Sequence, residues 1–237
     1  MNIMIDVKIL RKENAESKFY EQTFAYEGDT NITVEHLLIH LNEQICRQAE
    51  ERPITWECSC EQGICGGCAM VINGRPRLAC QTYCNELLGK DSVITILPLS
   101  KFPVICDLKV DRSVIYELMK RMALWLKDDA VTNEKSYKLR YEASNCLMCG
   151  CCLEVCPNYS LESTFSGMLG TVAITNLTLQ SKKNTFQKQY ISSVFEGCSK
   201  SLACQMICPL NIPMLEMTSS MNRMSVWKIW NLLKKEK

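Results

Sequence analysis

The segment NCLMCGCCLEVCP, residues 145–157, carries five cysteines within eleven residues and ends with a proline. Four of them follow the spacing C-x2-C-x2-C-x3-C-P, namely Cys146, Cys149, Cys152 and Cys156. This spacing is typical of bacterial ferredoxins, in which thiolates hold iron–sulfur clusters. Cys151 breaks the spacing, so we interpret it as the surplus thiol of the segment.

The ferredoxin spacing also demands a partner segment, because its fourth cysteine binds the other of two clusters. The stretch GCSKSLACQMICP, residues 197–209, supplies one. Its cysteines are Cys198, Cys204 and Cys208. A complete second run would place a cysteine at position 201, where this sequence has Ser201.

Exchange of the fourth ligands predicts two unequal cluster sites. A [4Fe–4S] cluster is predicted to bind Cys146, Cys149, Cys152 and Cys208. The other site retains Cys156, Cys198 and Cys204. Three thiolates favour [3Fe–4S], because a missing ligand leaves one corner of the cube empty. The alternative is that Ser201 ligates a fourth iron as an alkoxide, and EPR of the oxidised protein distinguishes the two.

A third cysteine pattern lies earlier in the chain, in CSCEQGICGGCAMVINGRPRLAC, residues 58–80. The spacing C-x4-C-x2-C with a distant fourth cysteine is typical of plant-type [2Fe–2S] sites. The predicted ligands are Cys60, Cys65, Cys68 and Cys80. We expect Gly63, Gly66 and Gly67 to permit positive φ and close approach of the backbone. Zinc is the rival interpretation, but zinc sites favour paired C-x2-C spacings. Cys58, two residues before Cys60, is the competing candidate for a ligand of this site.

The composition describes a globular chain in a reducing compartment. Of 237 residues, 47% are hydrophobic and 22% charged, and the formal net charge is +1, which gives no electrostatic case for nucleic acid. No apolar run reaches membrane-spanning length, and the N-terminus lacks the features of a signal peptide. Sixteen cysteines in such a compartment suggest metal binding rather than disulfides. The five unassigned cysteines are interpreted as small buried hydrophobes: Cys46, Cys58, Cys84, Cys106 and Cys151.

The hydrophobic pattern predicts an α+β fold with two domains. Residues 1–102 read as two strands, an amphipathic helix after Thr33, a hairpin turning at Asn73-Gly74 and a final strand, which is a β-grasp layout. The segment PLSKFPVICDLKVDR reads as the connector. Residues 103–237 are predicted to form a helical, bacterial-ferredoxin-like domain.

Two helical features of the second domain are predicted in more detail. Asp111 is expected to cap a helix with an apolar side. That side comprises Ile115, Leu118, Met122, Trp125 and Leu126. Near the end of the chain, methionines recur at helical spacing, as a core stripe or as an adaptable docking face. They are Met214, Met217, Met221 and Met224, followed by Trp227 and Trp230 in an amphipathic tail.

Taken together, the chain resembles the iron–sulfur subunits of succinate dehydrogenase and fumarate reductase over nearly its whole length. The resemblance is carried by CEQGICGGCAMVINGRPRLAC, FPVICDLKVDR, CLMCGCCLEVCP and CSKSLACQMICP. The stretches CLEVCPNYS and NIPMLEMTSS resemble most the Gram-positive, menaquinone-linked branch. The sequence shows no catalytic triad, nucleotide loop or paired carboxylates, so we predict no catalytic residue on this chain.

The resemblance implies that the chain transfers electrons between two partner proteins. An FAD-containing flavoprotein is expected on the side of the N-terminal domain, and a cytochrome b-type membrane anchor with its quinone on the side of the C-terminal domain. The implied location is peripheral, on the cytoplasmic face of the membrane. The alternatives are a free-standing ferredoxin-like carrier and a fumarate reductase fed by a donor other than quinone.

The sequence departs from ubiquinone-reducing members of that family at two positions. Those members carry a tryptophan shortly after the second Cys-Pro and a histidine after the first cysteine of the third cluster. Here Asn158 and Tyr159 follow Pro157, and Ser199 follows Cys198. We therefore expect menaquinone rather than ubiquinone as the partner.

Overall fold

The computed structural model describes residues 3–48, 51–89, 92–126, 129–131, 134–181 and 186–227. The chain divides into two compact units, Met1–Asp111 and Arg112–Lys237. This geometric division lies nine residues beyond the predicted domain boundary at 102/103, which stays a prediction.

The first unit is built on a five-stranded mixed sheet with one long helix. Its elements are β1 (Ile3–Arg11), β2 (Tyr20–Gly28), α1 (Val34–Gln48), β3 (Ala69–Ile72), β4 (Arg75–Leu78) and β5 (Val93–Leu97). The strand order is β2-β1-β5-β3-β4, with β1 and β5 parallel and the other pairs antiparallel. This is the predicted β-grasp architecture.

The core of the first unit follows directly from the sequence periodicity. Alternate residues of β1 are buried, as expected of a strand with one face on the core. Thr33 caps α1, because its Oγ1 accepts a hydrogen bond from the His36 N–H at 3.3 Å. The apolar side of α1 is fully buried at Leu37, Leu38 and Leu41.

The turn between β3 and β4 belongs to a hairpin that is flanked by two predicted metal ligands, Cys68 and Cys80. Asn73 and Gly74 have φ of 46° and 73°, the left-handed pair that a two-residue hairpin requires. Cys80 does not lie in β4. It lies in a short 3₁₀ turn, Ala79–Gln81, that follows the strand.

The predicted connector contains a small hairpin rather than irregular chain. Strands β6 (Val104–Cys106) and β7 (Lys109–Val110) pair antiparallel, and Asp107 occupies the turn between them. The Asp107 carboxylate is fully buried and accepts hydrogen bonds from both the Arg11 and Arg52 guanidiniums. This network fixes the hairpin to the end of β1.

The second unit is helical in the part that the structure describes. Its helices are α2 (Ser113–Arg121), α3 (Glu134–Ser144), α4 (Cys151–Glu154), α5 (Gly167–Thr178), α6 (Gln187–Tyr190), α7 (Ala203–Ile207) and α8 (Met214–Ser225). A π-helical turn, Ile191–Phe195, continues α6. Most of α5 is buried, and it contacts α3, α4 and α8. Within the described residues, no helix is long and apolar enough to cross a membrane.

The first helix of this unit is shorter than predicted. The N-cap residue of α2 is Arg112 rather than Asp111, and it makes no side-chain cap hydrogen bond. The helix ends at Arg121 because Ala123 adopts φ of 52°, in the left-handed region. Trp125 lies beyond the helix and is exposed, so it does not belong to the apolar side. Leu126 likewise lies outside the helix.

The methionine stripe lies on α8 and contributes to the core. Met214, Met217 and Met221 are buried, whereas Met224 is half-buried. Met221 packs in a cluster with Tyr190 and other apolar side chains of the unit. The core interpretation of the stripe therefore holds for these three residues. Trp227 is exposed, and Trp230 lies outside the described residues.

Candidate iron–sulfur sites

The first predicted site is a loop that wraps its backbone around thiol sulfurs. The Cys60 Sγ accepts hydrogen bonds from the N–H groups of Gln62, Ile64 and Cys65 at 3.5, 3.3 and 3.3 Å. These backbone donors lower the pKa of the Cys60 thiol to about 6. The loop therefore stabilises a thiolate, the form that binds iron.

Two of the three glycines in this loop have the conformation predicted for them. Gly63 and Gly66 have φ of 71° and 75°, a backbone conformation that other residues rarely adopt. Gly67 lacks the positive φ expected of it. Its N–H donates to the Cys65 Sγ at 3.4 Å, and a Cβ there would make only ordinary contacts with Glu57 and Cys65.

The other two thiols of the first site flank the β3–β4 hairpin. The Cys68 Sγ lies 3.3 Å from the Cys80 Sγ, and both residues are buried. Burial raises the pKa of the Cys68 thiol. Four thiols on this loop and sheet edge suit a cluster that is buried on one side and exposed at Cys65.

Cys58 and Glu35 lie against the same site. The Glu35 carboxylate, the Cys58 thiol and the Cys68 thiol come within 4.8 Å of one another. Burial and the Glu35 carboxylate raise the pKa of the Cys58 thiol to about 12. Periodicity did not identify Glu35, because it is a charged residue on the buried part of α1. Cys58 therefore lies close enough to Cys68 to remain the competing ligand that the sequence suggested.

The second predicted site is a small cavity in the helical unit. Its volume is about 20 Å³, and all four predicted thiols line it together with apolar residues. The thiols are Cys146, Cys149, Cys152 and Cys208. Met148 and Gly150, with φ of 52° and 91°, turn the backbone around it. Cys208 thus joins the three thiols of the earlier segment, as the exchange of ligands requires.

The third predicted site is a larger cavity of about 140 Å³. The three predicted thiols and the serine all line it, namely Cys156, Cys198, Cys204 and Ser201. Phe165, Met168 and Leu215 form its apolar walls. Lys200 and Leu202 adopt left-handed φ of 60° and 58° beside it. Cys156 belongs to the first cysteine segment, but it lines this cavity together with the cysteines of the second segment.

The thiols of both helical sites influence the pKa values of their neighbours. Burial raises the pKa of Cys146 to about 11, with further contributions from Cys149 and Cys208. Burial also raises the pKa of Cys204, with further contributions from Cys156 and Cys198. Buried thiols that face one another remain protonated unless a cation neutralises them. Bound iron supplies that charge, so both donor sets fit iron–sulfur clusters.

Cys151 is adjacent to the second site without lining its cavity. It is fully buried in α4, and a hydrogen bond with the Cys149 thiol, together with burial, raises its pKa. The same hydrogen bond is the main cause that lowers the pKa of Cys149 to about 7. Cys151 therefore supports a predicted ligand, which a surplus thiol was not expected to do.

The interpretation of the five unassigned cysteines as buried hydrophobes is wrong for some of them. Cys84 and Cys151 are buried, but Cys46 is exposed. Cys46 follows buried Ile45 on α1 and therefore points to the outer face of the helix. Cys106 is half-buried, and its Sγ accepts a hydrogen bond from Arg52 at 3.1 Å. Cys58 is half-buried as well.

Comparisons with known families agree with the two units. Residues 6–117 match the model of a 2Fe-2S iron-sulfur cluster binding domain. Residues 142–212 match the model of a 4Fe-4S dicluster domain. These matches define a two-domain iron–sulfur protein.

Similar chains extend the match over nearly the full sequence. The succinate dehydrogenase iron-sulfur subunit of Bacillus subtilis is 30% identical over 91% of this chain and 90% of its own. The fumarate reductase iron-sulfur subunit of Wolinella succinogenes is 28% identical over 95% of this chain and 99% of its own. The chain belongs to the family of iron–sulfur subunits of succinate dehydrogenase and fumarate reductase.

A solved structure supports the fold independently. A chain of the Mycobacterium smegmatis Sdh1 complex in the apo form matches with a TM-score of 0.76 and 22% identity. The match covers 94% of this chain and 97% of that one.

Proposed function

We propose that this chain relays electrons between the FAD of a flavoprotein subunit and a membrane quinone, within a succinate:quinone oxidoreductase or fumarate reductase complex. One observation carries the proposal: each of the two cavities of the helical unit is lined by one complete predicted ligand set. The [2Fe–2S] loop of the first unit adds a third redox site. Family membership supports the same role.

The ligands proposed are those predicted from spacing. The [2Fe–2S] cluster is held by Cys60, Cys65, Cys68 and Cys80. The [4Fe–4S] cluster is held by Cys146, Cys149, Cys152 and Cys208. The third cluster is [3Fe–4S], held by Cys156, Cys198 and Cys204. When bound, the clusters accept and release single electrons.

The residues of the chain prepare these sites in two ways. Backbone N–H groups of the first loop stabilise the Cys60 thiolate. In the helical unit, apolar walls such as Leu169 and Met214 beside the second cavity and Phe165 beside the third exclude water. Exclusion of water strengthens every hydrogen bond to sulfur and so tunes the redox potential.

Two exposed apolar side chains support the proposed partners. Ile64, between Cys60 and Cys65, is 64% exposed, and we assign it to the contact with the flavoprotein. Met206, between Cys204 and Cys208, is 86% exposed, and we assign it to the contact with the cytochrome b-type anchor. Each lies beside a predicted cluster, where electrons must cross to a partner. In this proposal the chain is peripheral, on the cytoplasmic face of the membrane, as part of a membrane-bound complex.

The quinone proposed is menaquinone. Ser199 lines the third cavity at the position where ubiquinone-reducing members carry histidine. Asn158 donates a hydrogen bond to the Gly197 carbonyl at 2.6 Å, and Tyr159 is buried. Faster turnover of the purified complex with naphthoquinones than with ubiquinone analogues would support this assignment, and the reverse would reject it.

Purification of the native complex under anaerobic conditions tests the whole proposal. We expect a flavoprotein and a membrane protein to copurify, with about nine irons per copy of this chain. Succinate should reduce the clusters, and a menaquinone analogue should reoxidise them. Isolation without a flavoprotein would favour the free-standing carrier. Reoxidation by fumarate alone, with no response to any quinone, would favour a complex fed by another donor.

A further inference from the structure

The inner wall of the third cavity contains an amide that the cysteine pattern does not use. Asn222 of α8 lines the cavity and is 7% exposed. The cavity residues Ser199, Lys200 and Ser201 are all exposed and define its solvent side. Asn222 therefore faces the cavity from the core side of the unit.

A second buried residue fixes the orientation of this amide. The Tyr190 hydroxyl donates a hydrogen bond to the Asn222 Oδ1 at 2.7 Å. Tyr190 is fully buried and packs against Met221 in the core of the unit. Burial raises the pKa of Tyr190, so the hydroxyl keeps its proton and remains a donor.

This arrangement leaves the other end of the amide available. With Oδ1 bound to Tyr190, the Asn222 Nδ2 carries two N–H donors, and within the described residues none of them bonds to protein. Thr218, the other buried hydroxyl on this wall, already donates to the Met214 carbonyl at 2.8 Å. The free donor of the inner wall is thus Asn222.

We propose that the Asn222 amide, oriented by Tyr190, donates an N–H hydrogen bond to a sulfur of the cluster held by Cys156, Cys198 and Cys204. The inference rests on the proposed function, because it needs that cluster in the cavity. Reduction adds negative charge to the cluster and its sulfurs, so the hydrogen bond is stronger in the reduced state. Asn222 therefore raises the reduction potential of the third cluster.

Redox titration of the purified complex, followed by the EPR signal of the third cluster, tests this inference. Asn222→Leu keeps the size of the side chain and removes the donor. We expect a tenfold lower ratio of reduced to oxidised cluster at a fixed ambient potential, equivalent to 59 mV for one electron. Tyr190→Phe should shift the ratio in the same direction by less, because the amide loses its orientation but not its N–H.

Ser219→Ala is the matched control, since Ser219 lines the same cavity from an exposed position. It should titrate like the wild type. If Asn222→Leu loses the cluster, the reduction potential measured for Tyr190→Phe tests the inference instead. Wild-type potentials in the variants that retain the cluster would overturn the inference and leave the proposed function intact. A wild-type complex without any cluster signal from this cavity would overturn both.

Discussion

The Cys68 Sγ lies 3.3 Å from the Cys80 Sγ, although a complete β-hairpin separates the two residues. The antiparallel pairing of β3 and β4 sets this distance, because the thiols flank the open end of the hairpin. Cys68 comes directly before β3, and Cys80 lies in the 3₁₀ turn that follows β4. The proposed [2Fe–2S] site is therefore fastened to this hairpin of the sheet.

Cys80→Ala should remove the [2Fe–2S] cluster and leave the other two in place. Alanine offers iron no ligand atom, and Cys80 is the thiol that ties the loop to the end of the β3–β4 hairpin. Iron analysis should find about two irons fewer per chain, and the EPR signal of the reduced [2Fe–2S] cluster should disappear.

Cys84→Ala is the control, because Cys84 is buried only four residues away. It should retain the full iron content and lose about 1 kcal/mol of unfolding free energy. Retention of the [2Fe–2S] signal by Cys80→Ala, with full iron content, would contradict the ligand assignment.

The exchange of ligands between the two helical sites predicts crossed effects of two substitutions. Cys208→Ala should remove the [4Fe–4S] cluster, whose other ligands lie far earlier in the sequence. Cys156→Ala should instead remove the third cluster. EPR of the oxidised and of the reduced protein resolves the two signals. Cys151→Ala should retain both, since Cys151 lines neither cavity.

The opposite pattern, in which Cys156→Ala removes the [4Fe–4S] signal and Cys208→Ala the other, would mean that each segment binds its own cluster. That result would contradict the shared cavities described above.

Ser201→Cys should convert the third cluster from [3Fe–4S] to [4Fe–4S]. Ser201 lines the cavity with the three thiols, and a cysteine there completes the C-x2-C-x2-C spacing. The EPR signal of the oxidised [3Fe–4S] cluster should vanish, and the iron content should rise by about one per chain. Ser199→Cys is the control, because it adds a thiol to the same cavity at the wrong spacing. An unchanged signal in Ser201→Cys would show that this position does not face the open corner.

Asp107→Asn should destabilise the first unit by about 3–5 kcal/mol, because it leaves two guanidiniums without their buried partner. Burial by itself raises the pKa of Asp107, but hydrogen bonds from Arg11, Arg52 and the Thr55 N–H outweigh burial and hold it below the usual value. A depressed pKa in the folded state stabilises the protein above the unfolded value of about 3.9. This stabilisation is lost as the pH falls through the folded-state pKa.

Denaturant unfolding from pH 7 to pH 3 measures this effect. The difference between wild type and Asp107→Asn should be largest near neutral pH and shrink in acid. Asp6→Asn, at an exposed position of β1, should change stability little at any pH. A difference that stays constant down to pH 3 would contradict a role for the carboxylate charge.

Local signals explain how much of the fold the sequence predicts. The Asn73-Gly74 turn needs only its own two residues to adopt positive φ, and the alternation of β1 needs only its neighbours. The β-grasp architecture is therefore confirmed. The end of α2 was missed, because Ala123 takes a left-handed conformation for which alanine gives no sequence signal.

The candidate sites likewise combine features that the local sequence predicts with features that it does not. Cysteine spacing predicts which thiols share a cavity, because cluster geometry restricts the loops that can surround it. Contacts between distant residues carry no such spacing: Arg11 and Asp107 are 96 residues apart. Glu35 and Asn222 read as ordinary polar helix residues. Only the packing of α1 and α8 buries them beside the predicted ligands.

The sharing of each cavity by both cysteine segments has a consequence for biosynthesis. Cys156 must wait for Cys198 and Cys204, and the three earlier thiols must wait for Cys208. Neither ligand set is complete until the second cysteine segment has been synthesised. We therefore expect each of the two proposed clusters of this unit to form only after the second cysteine segment has been synthesised.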